Sequence, residues 1–245
     1  MENRKKIYWI MVITICVFGH SGCFLTRMPS PQADRIDGNN IIGIDAGGSF
    51  TWFIPTKTGV VLVDSGWEEK GYALKKELAD RQVHAIFITH GHFDHTGGLP
   101  LFPDVPVYIG PGEGPLVRGE IEAGGWMARI TNSLVGHEPY SPPLLKELAD
   151  GESIEIDGEI FQAIHVPGHT RGSTMYLWKD VLFTGDTIVG RGDHVNEIPE
   201  PTYDDYEAVH DNVSKVLEYT FERIADGHVG LHSNAYEQVV SYLEK

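Results

Sequence analysis

Residues 89–98 read THGHFDHTGG. Three histidines and one aspartate, His90, His92, Asp94 and His95, stand within this stretch, directly after the apolar run AIFI at 85–88. Successive side chains of an extended segment point to opposite faces, so 90, 92 and 94 share one face and His95 requires the chain to bend. A segment built this way can serve two metal ions a few ångströms apart. Imidazoles and carboxylates together are ordinary zinc ligands.

Working outward, three later loops repeat the pattern of a strand-like run followed by a ligand-type residue with glycine beside it. They are PGHTRGS with His169, FTGDT with Asp186, and ADGHVG with His228. Glycine lets the backbone bend tightly around a bound group. The only cysteines are Cys16 and Cys23. From residue 24 onward no thiolate can ligate a metal and no disulfide can form.

The remaining pattern alternates strands and helices. IIGIDA, FTWFIP and GVVLVDSG read as strands. EEKGYALKKELADR carries Tyr72, Leu74 and Leu78 at helical spacing. HAIFITH is a buried-type strand ending at His90, TGGLPLF opens a short helix, and VPVYIG is a further strand. Residues 111–149 read as a helix-containing insertion near the site, with Trp126 and Met127 either lining a pocket or packing within the insertion. Hairpins are expected around Asp157-Gly158 and Lys179-Asp180. Residues 203–219 and NAYEQVVSYLEK read as helices, with strand-like RIADGH between them. Two sheets face to face with helices outside satisfy this order.

THGHFDH, followed in order by PGH, TGD and DGH and preceded by VLVDSG at 61–66, resembles the metallo-β-lactamase superfamily over nearly the whole body. The resemblance implies an α/β fold, a four-layer αββα sandwich, with the site along one edge of the sheets. It implies that His90, His92 and His169 hold one metal, that Asp94, His95 and His228 hold a second, and that Asp186 bridges them. It further implies hydrolysis through a metal-bridging hydroxide, with Asp94 as the catalytic residue that orients it or shuttles its proton. Two zinc ions are expected, with iron or manganese as alternatives. Asp64 in VDSG is read as a carboxylate supporting a ligand or a turn. Arg191 and His194, after Asp186, are candidates for substrate contact. His84, His137, His165, His210 and His232 match no motif.

Departures narrow the subfamily. Cysteine- and serine-type β-lactamases carry those residues where this chain has Asp186, which resembles glyoxalase II and the lactonases instead. Only 17 residues follow His228, so the helical glutathione-binding domain of glyoxalase II is not expected. Val189 stands where acyl-homoserine lactonases often have tyrosine. His92 stands where flavodiiron proteins have glutamate. The expected activity is hydrolysis of a small ester, thioester, lactone or amide. The alternatives are a β-lactamase, a non-catalytic metal- or ligand-binding lipoprotein, and an iron-dependent oxidoreductase on the same fold.

The 245 residues carry a formal charge of −16. A strongly acidic body repels phosphate backbones, so a nucleic-acid partner is not expected and a small-molecule substrate is. The N-terminus reads as an address. A basic head, MENRKK, precedes the apolar IYWIMVITICVF and then GHSGC. That run is short for a bilayer span and suits a signal peptide. SGC resembles a bacterial lipoprotein box, although His20 replaces its usual aliphatic residue. The expected organisation is a lipoprotein-type signal peptide at 1–22, a tether at 23–40 and the hydrolase domain at 41–245. The protein would then be exported and held to the membrane through a lipid at Cys23, with secretion or a retained anchor as alternatives.

Overall fold

A computed structural model of the chain describes residues 33–67, 71–135 and 138–244. Seven strands form one sheet in sequence order: β1 (Arg35–Gly38), β2 (Ile41–Asp45), β3 (Phe50–Pro55), β4 (Gly59–Val63), β5 (Gln82–Phe87), β6 (Val107–Ile109) and β7 (Leu145–Glu147). Six form a second sheet, drawn from β8 (Ser153–Ile156), β9 (Glu159–His165), β10 (Thr174–Trp178), β11 (Val181–Gly185), β14 (Arg223–Asp226) and β15 (Leu231–Ser233), in the order β15-β14-β11-β10-β9-β8. A separate hairpin pairs β12 (Val189–Arg191) with β13 (His194–Asn196).

The sheets pack face to face through alternate side chains. Phe50, Trp52, Ile54, Val61, Val63 and Phe87 of the first meet Phe161, Ala163, Tyr176, Trp178 and Phe183 of the second. Phe87 is the hub, with its ring 4.7 Å from Phe161 and 4.9 Å from Tyr176. The opposite strand faces carry helices. Leu74 and Leu78 of α1 (Tyr72–Leu78) pack with Phe53, Leu62 and Ile86. Val209 and Val213 of α5 (Tyr206–Val213) and Val239 and Tyr242 of α6 (Ala235–Leu243) pack with Ile164, Met175, Leu182 and Ile224. These layers are the αββα sandwich expected from the motif order. Among the described residues no helix is long and apolar enough to cross a membrane.

Both hairpin turns form where expected. Asp157 and Gly158 both take positive φ, 47° and 89°, as a two-residue turn of that hand requires. Lys179 takes φ 54° between β10 and β11.

Four readings change. The tether expected at 23–40 contains β1, which pairs with β2 through a turn at Asn39 and Asn40, both at positive φ. Asparagine tolerates that conformation, so NN acts as a hairpin signal here. Tyr72 is 61% exposed, and only Leu74 and Leu78 of its set are buried. Strand β5 stops at Phe87, short of His90. The stretch 111–149 is not wholly an insertion, because β7 pairs parallel with β6 and completes the first sheet. Cys16, Cys23 and His137 lie outside the described residues.

Two parallel pairs position the site. Strands β4 and β5 run parallel and end near Asp64 and Thr89. Strands β11 and β14 run parallel, with Gly185 opposite Asp226, and lead into Asp186 and His228. Parallel neighbours bring their carboxyl ends to the same edge. The two sheets are joined there by Phe50 N–H donating to the Gly227 carbonyl at 2.8 Å and Thr174 N–H donating to the Thr89 carbonyl at 2.9 Å.

Candidate metal centre

The opening motif folds in two parts. His92 keeps extended backbone (φ −67°, ψ 151°), and Phe93–Thr96 then makes one helical turn, α2. The extended alternation through position 94 therefore fails. Asp94 and His95 leave successive positions of a helical turn, which is the bend that serving a second cluster needs.

His90, His92 and His169 converge. His169 Nε2 lies 3.1 Å from His90 Nε2 and 3.0 Å from His92 Nδ1, and the latter two are 3.1 Å apart. All three rings are buried. Burial, with the neighbouring histidines, holds His90 and His169 well below the usual imidazole value. Burial also lowers His92, against the opposing pull of Asp94 and Asp186. Neutral rings have one N–H each, and their remaining lone pairs are available to a cation. Ligands about 2.0–2.1 Å from a tetrahedral ion stand about 3.3 Å apart, close to the spacing found.

Asp94, His95, Asp186 and His228 form the adjoining group. Asp186 Oδ1 lies 3.1 Å from His95 Nε2, and Asp186 Oδ2 lies 2.9 Å from His228 Nε2. Asp94 Oδ2 lies 3.7 Å from His95 Nε2 and 3.6 Å from His228 Nε2. Asp186 Oδ2 also reaches toward the first cluster, 3.7 Å from His169 Nε2 and 3.9 Å from His90 Nε2. His95 Nε2 and Asp186 Oδ1 are buried without a hydrogen-bond partner among the described residues. Such orphaned atoms on facing side chains suit a bound cation.

The electrostatics agree. Burial pulls His95 and His228 down, but the carboxylates overcome it. Asp186, Asp64 and Asp94 raise His95 well above its usual value, and Asp186 and Asp94 raise His228 to about 9. Burial favours the neutral acid of Asp186, yet His228 and His95 hold it well below the usual carboxylate range. Metal-free, this cluster draws protons onto its histidines to supply the positive charge that its carboxylates demand.

Asp64 has the supporting role expected of it. Its Oδ2 sits 2.7 Å from His95 Nδ1, and its Oδ1 accepts from Thr89 N–H at 2.8 Å. That arrangement leaves His95 Nε2 facing Asp186 and fixes the ring's orientation. His228 Nδ1 lies 2.8 Å from the Gly48 carbonyl, which likewise turns Nε2 inward. Gly227 is required by proximity: a methyl there would stand 2.4 Å from Asp186 Oδ1.

Other candidates separate. Arg191 and His194 lie on the β12–β13 hairpin and contact Glu197 and Asp193. Trp126 begins α4 (Trp126–Val135), a helix with no buried residue, and is 44% exposed. It is not insertion core. Gly124 and Gly125 seat that helix against Asp204 and Thr202, and Asp204 N–H donates to the His169 carbonyl at 3.0 Å. Three buried residues close to the ligand loops escaped the sequence reading. Tyr203 stacks edge-on 4.9 Å from His169 and donates to the Asp186 carbonyl. Glu113 bonds backbone beside His90, His92 and His169. His232 pairs with Asp226.

Comparison with known proteins places this geometry. The chain is 27% identical over 174 residues to an atrochrysone carboxyl ACP thioesterase of Aspergillus fumigatus, covering 66% of this chain and 47% of that one. It is 30% identical over 149 residues to a hydroxyacylglutathione hydrolase of Aliivibrio salmonicida, covering 59% and 48%. The chain thus spans about half the length of these curated relatives. Among solved structures, TTHA1623 in a di-iron-bound form is 29% identical with a TM-score of 0.57, over 77% of this chain and 91% of that one. The model of the metallo-beta-lactamase superfamily matches residues 44–239, and with four-fifths of its length inside that match the chain belongs to this superfamily.

Proposed function

We propose that this protein is a dinuclear zinc hydrolase of a small ester or thioester, with lactones and amides in the same reactivity class. The observation that carries the reading is the position of Asp186. Its two oxygens lie among the ligand atoms of the second cluster, and one lies within 4 Å of two ligand nitrogens of the first. His90, His92 and His169 would hold one ion, Asp94, His95 and His228 the other, and Asp186 both. A bound pair of divalent ions acidifies water and polarises a carbonyl.

The chain's own residues supply the rest. The buried imidazoles and Asp186 give a rigid, desolvated floor. Asp94 has the most exposed side chain of the seven, at 18%. It therefore faces the opening, where its carboxylate can hold a proton taken from water and hand it to the leaving group. Thioesters are favoured within the class because both curated relatives described above carry thioester-cleaving names. Iron is the specific second reading for the metal, supported by the di-iron-bound neighbour. The test is elemental analysis of purified protein alongside a panel of thioesters, lactones, β-lactams and phosphoesters. Two zinc ions per chain with thioester or ester turnover supports the reading. Chiefly iron, or one ion per chain, rejects the metal assignment, and β-lactam turnover alone moves the protein to the β-lactamases.

Export and anchoring through lipidated Cys23 complete the proposal, supported by the basic head, the apolar run and SGC. Intact mass of membrane-extracted protein tests it: an unmodified Cys23 rejects the anchor.

A further inference from the structure

Two buried carboxylates stand behind the ligands and touch none of the seven ligand side chains through a hydrogen bond. Glu113 lies at the start of α3 (Gly114–Val117) and is fully buried. Its Oε1 accepts from Gly91 N–H at 2.5 Å and from the Thr170 hydroxyl at 2.9 Å, and its Oε2 accepts from Gly172 N–H at 2.8 Å. Gly91 lies between His90 and His92, and Thr170 follows His169. Glu113 thus ties together the two loops, one from each sheet, that carry the three-histidine cluster.

Asp226 does the equivalent elsewhere. It is fully buried at the end of β14. Its Oδ1 accepts from the N–H groups of His228, Val229 and Gly230 at 2.9, 2.6 and 3.0 Å. Its Oδ2 accepts from Gly190 N–H at 2.8 Å and lies 2.9 Å from His232 Nε2. Gly190 follows the loop that carries Asp186. Asp226 therefore joins the loops that carry Asp186 and His228, both of the second cluster.

A buried carboxylate is costly unless hydrogen bonds replace water, and bonds to an ionised acceptor are the strong ones. Neither group has a lysine or arginine among these partners. What each gains is backbone of two ligand loops, fixed relative to one another. The strands fix where each loop begins, and the carboxylate fixes how the ligand-bearing residues beyond the strand ends stand relative to one another.

We propose that Glu113 and Asp226 are positioning residues acting as loop clamps, one for each metal: Glu113 sets the His90–His92–His169 cluster and Asp226 sets the Asp186–His228 side of the other. The proposal rests on the dinuclear reading and predicts a double dissociation. An amide in place of either carboxylate keeps shape and one acceptor, and turns a donor toward an N–H that has lost its acceptor.

The test is titration of cobalt(II) into metal-free full-length protein, followed by visible absorption and by competition with a chromophoric chelator. His169→Ala and His228→Ala assign the two spectral components to the two clusters. Glu113→Gln should weaken the three-histidine component by about 10–100-fold and leave the other nearly unchanged, and Asp226→Asn should do the reverse. Circular dichroism and melting temperature of each metal-free variant report folding. If either variant fails to fold, Thr170→Val and His232→Phe, which each remove one bond to the clamp carboxylate, should show the same selectivity at lower amplitude. Variants that weaken both components equally, or neither, overturn the clamps. A wild-type protein that takes up a single cobalt overturns the dinuclear reading itself and the proposal with it.

Discussion

The two ligand clusters share one carboxylate and obey different physics. The three-histidine cluster is neutral, and burial keeps its rings unprotonated whether or not a cation is near. The second cluster is ionic, with Asp64, Asp94 and Asp186 competing for positive charge that His95 and His228 supply in the absence of metal. The first is thus preorganised by shape and loses little when it binds. The second must exchange protons for metal, so its affinity depends on pH and on every nearby charge. The two clusters thus differ in electrostatics without any difference in the number of ligand-type side chains.

The sharpest way to break this comparison is Asp186→Asn. The shape survives and the charge does not. The second metal should be largely lost, the first retained, and kcat/KM should fall at least about 100-fold, roughly 2.7 kcal/mol of transition-state stabilisation. Metal stoichiometry, melting temperature and turnover on one preparation decide it. Two tightly held ions in an active but less stable variant would make Asp186 a turn-capping residue instead.

Asp64→Asn should act next most strongly. It removes the anion bonded directly to His95, whereas its link to the three-histidine cluster runs only through the Thr89 hydroxyl, 3.1 Å from His90 Nδ1, so second-site affinity should drop about 10–100-fold and first-site affinity much less. Equal weakening of both sites would show that Asp64 serves mainly the strand end, through Thr89.

Proton counting sharpens the contrast without mutation. At pH 7 loading the second site should release about two protons more than loading the first, those of His95 and His228, beyond what metal-bound water gives up. The His228 share should fade as pH rises through about 9, because the free ring is then already neutral. Calorimetry in buffers of different ionisation enthalpy measures the count. Equal release at the two sites would erase the distinction.

A separate effect, on folding rather than on metal binding, concerns stability. Burial raises Glu113 to about 7, against the opposing bonds from Gly91, Thr170 and Gly172. A carboxyl whose folded value lies above its unfolded value of 4.5 contributes stability that is full below 4.5 and lost as pH rises through 7. Relative to Glu113→Gln, the metal-free protein should therefore lose up to about 3 kcal/mol between pH 4.5 and 8. Urea denaturation across that range reads it, and a constant gap between the two proteins would refute it.

Ligand types were legible because each lies in a short stretch that follows a strand-like run and contains glycine, and motif order supplied their grouping. Asp64 could be assigned a supporting role because VDSG closes a strand. Glu113 and Asp226 could not be read as clamps, since the bonds that reach a second loop run mainly to backbone N–H groups distant in sequence, Gly91 and Gly172 for Glu113 and Gly190 for Asp226, which leave no side-chain signature. β1 was hidden because Ile36 is its only apolar side chain and its turn is NN rather than NG. β7 and the β12–β13 hairpin are only three residues long, too short for a period to show. The helix pattern at 72–78 marked the right segment but could not tell that Tyr72 points outward.

Asp186 and His228 leave neighbouring parallel strands, and Asp64 and His90 follow another such pair. Adjacent strands stand about 4.8 Å apart whatever side chains they carry. The sheet therefore acts as a ruler for where the ligand loops start, and ligand separation depends on that backbone and on the carboxylates that clamp it rather than on ligand identity. Position 186 then behaves as a socket: exchanging its carboxylate for a thiol or a hydroxyl alters charge and softness while the spacing stays fixed. A scaffold of this kind can change its metal or its reaction by single substitutions, each tested by selection without rebuilding the site.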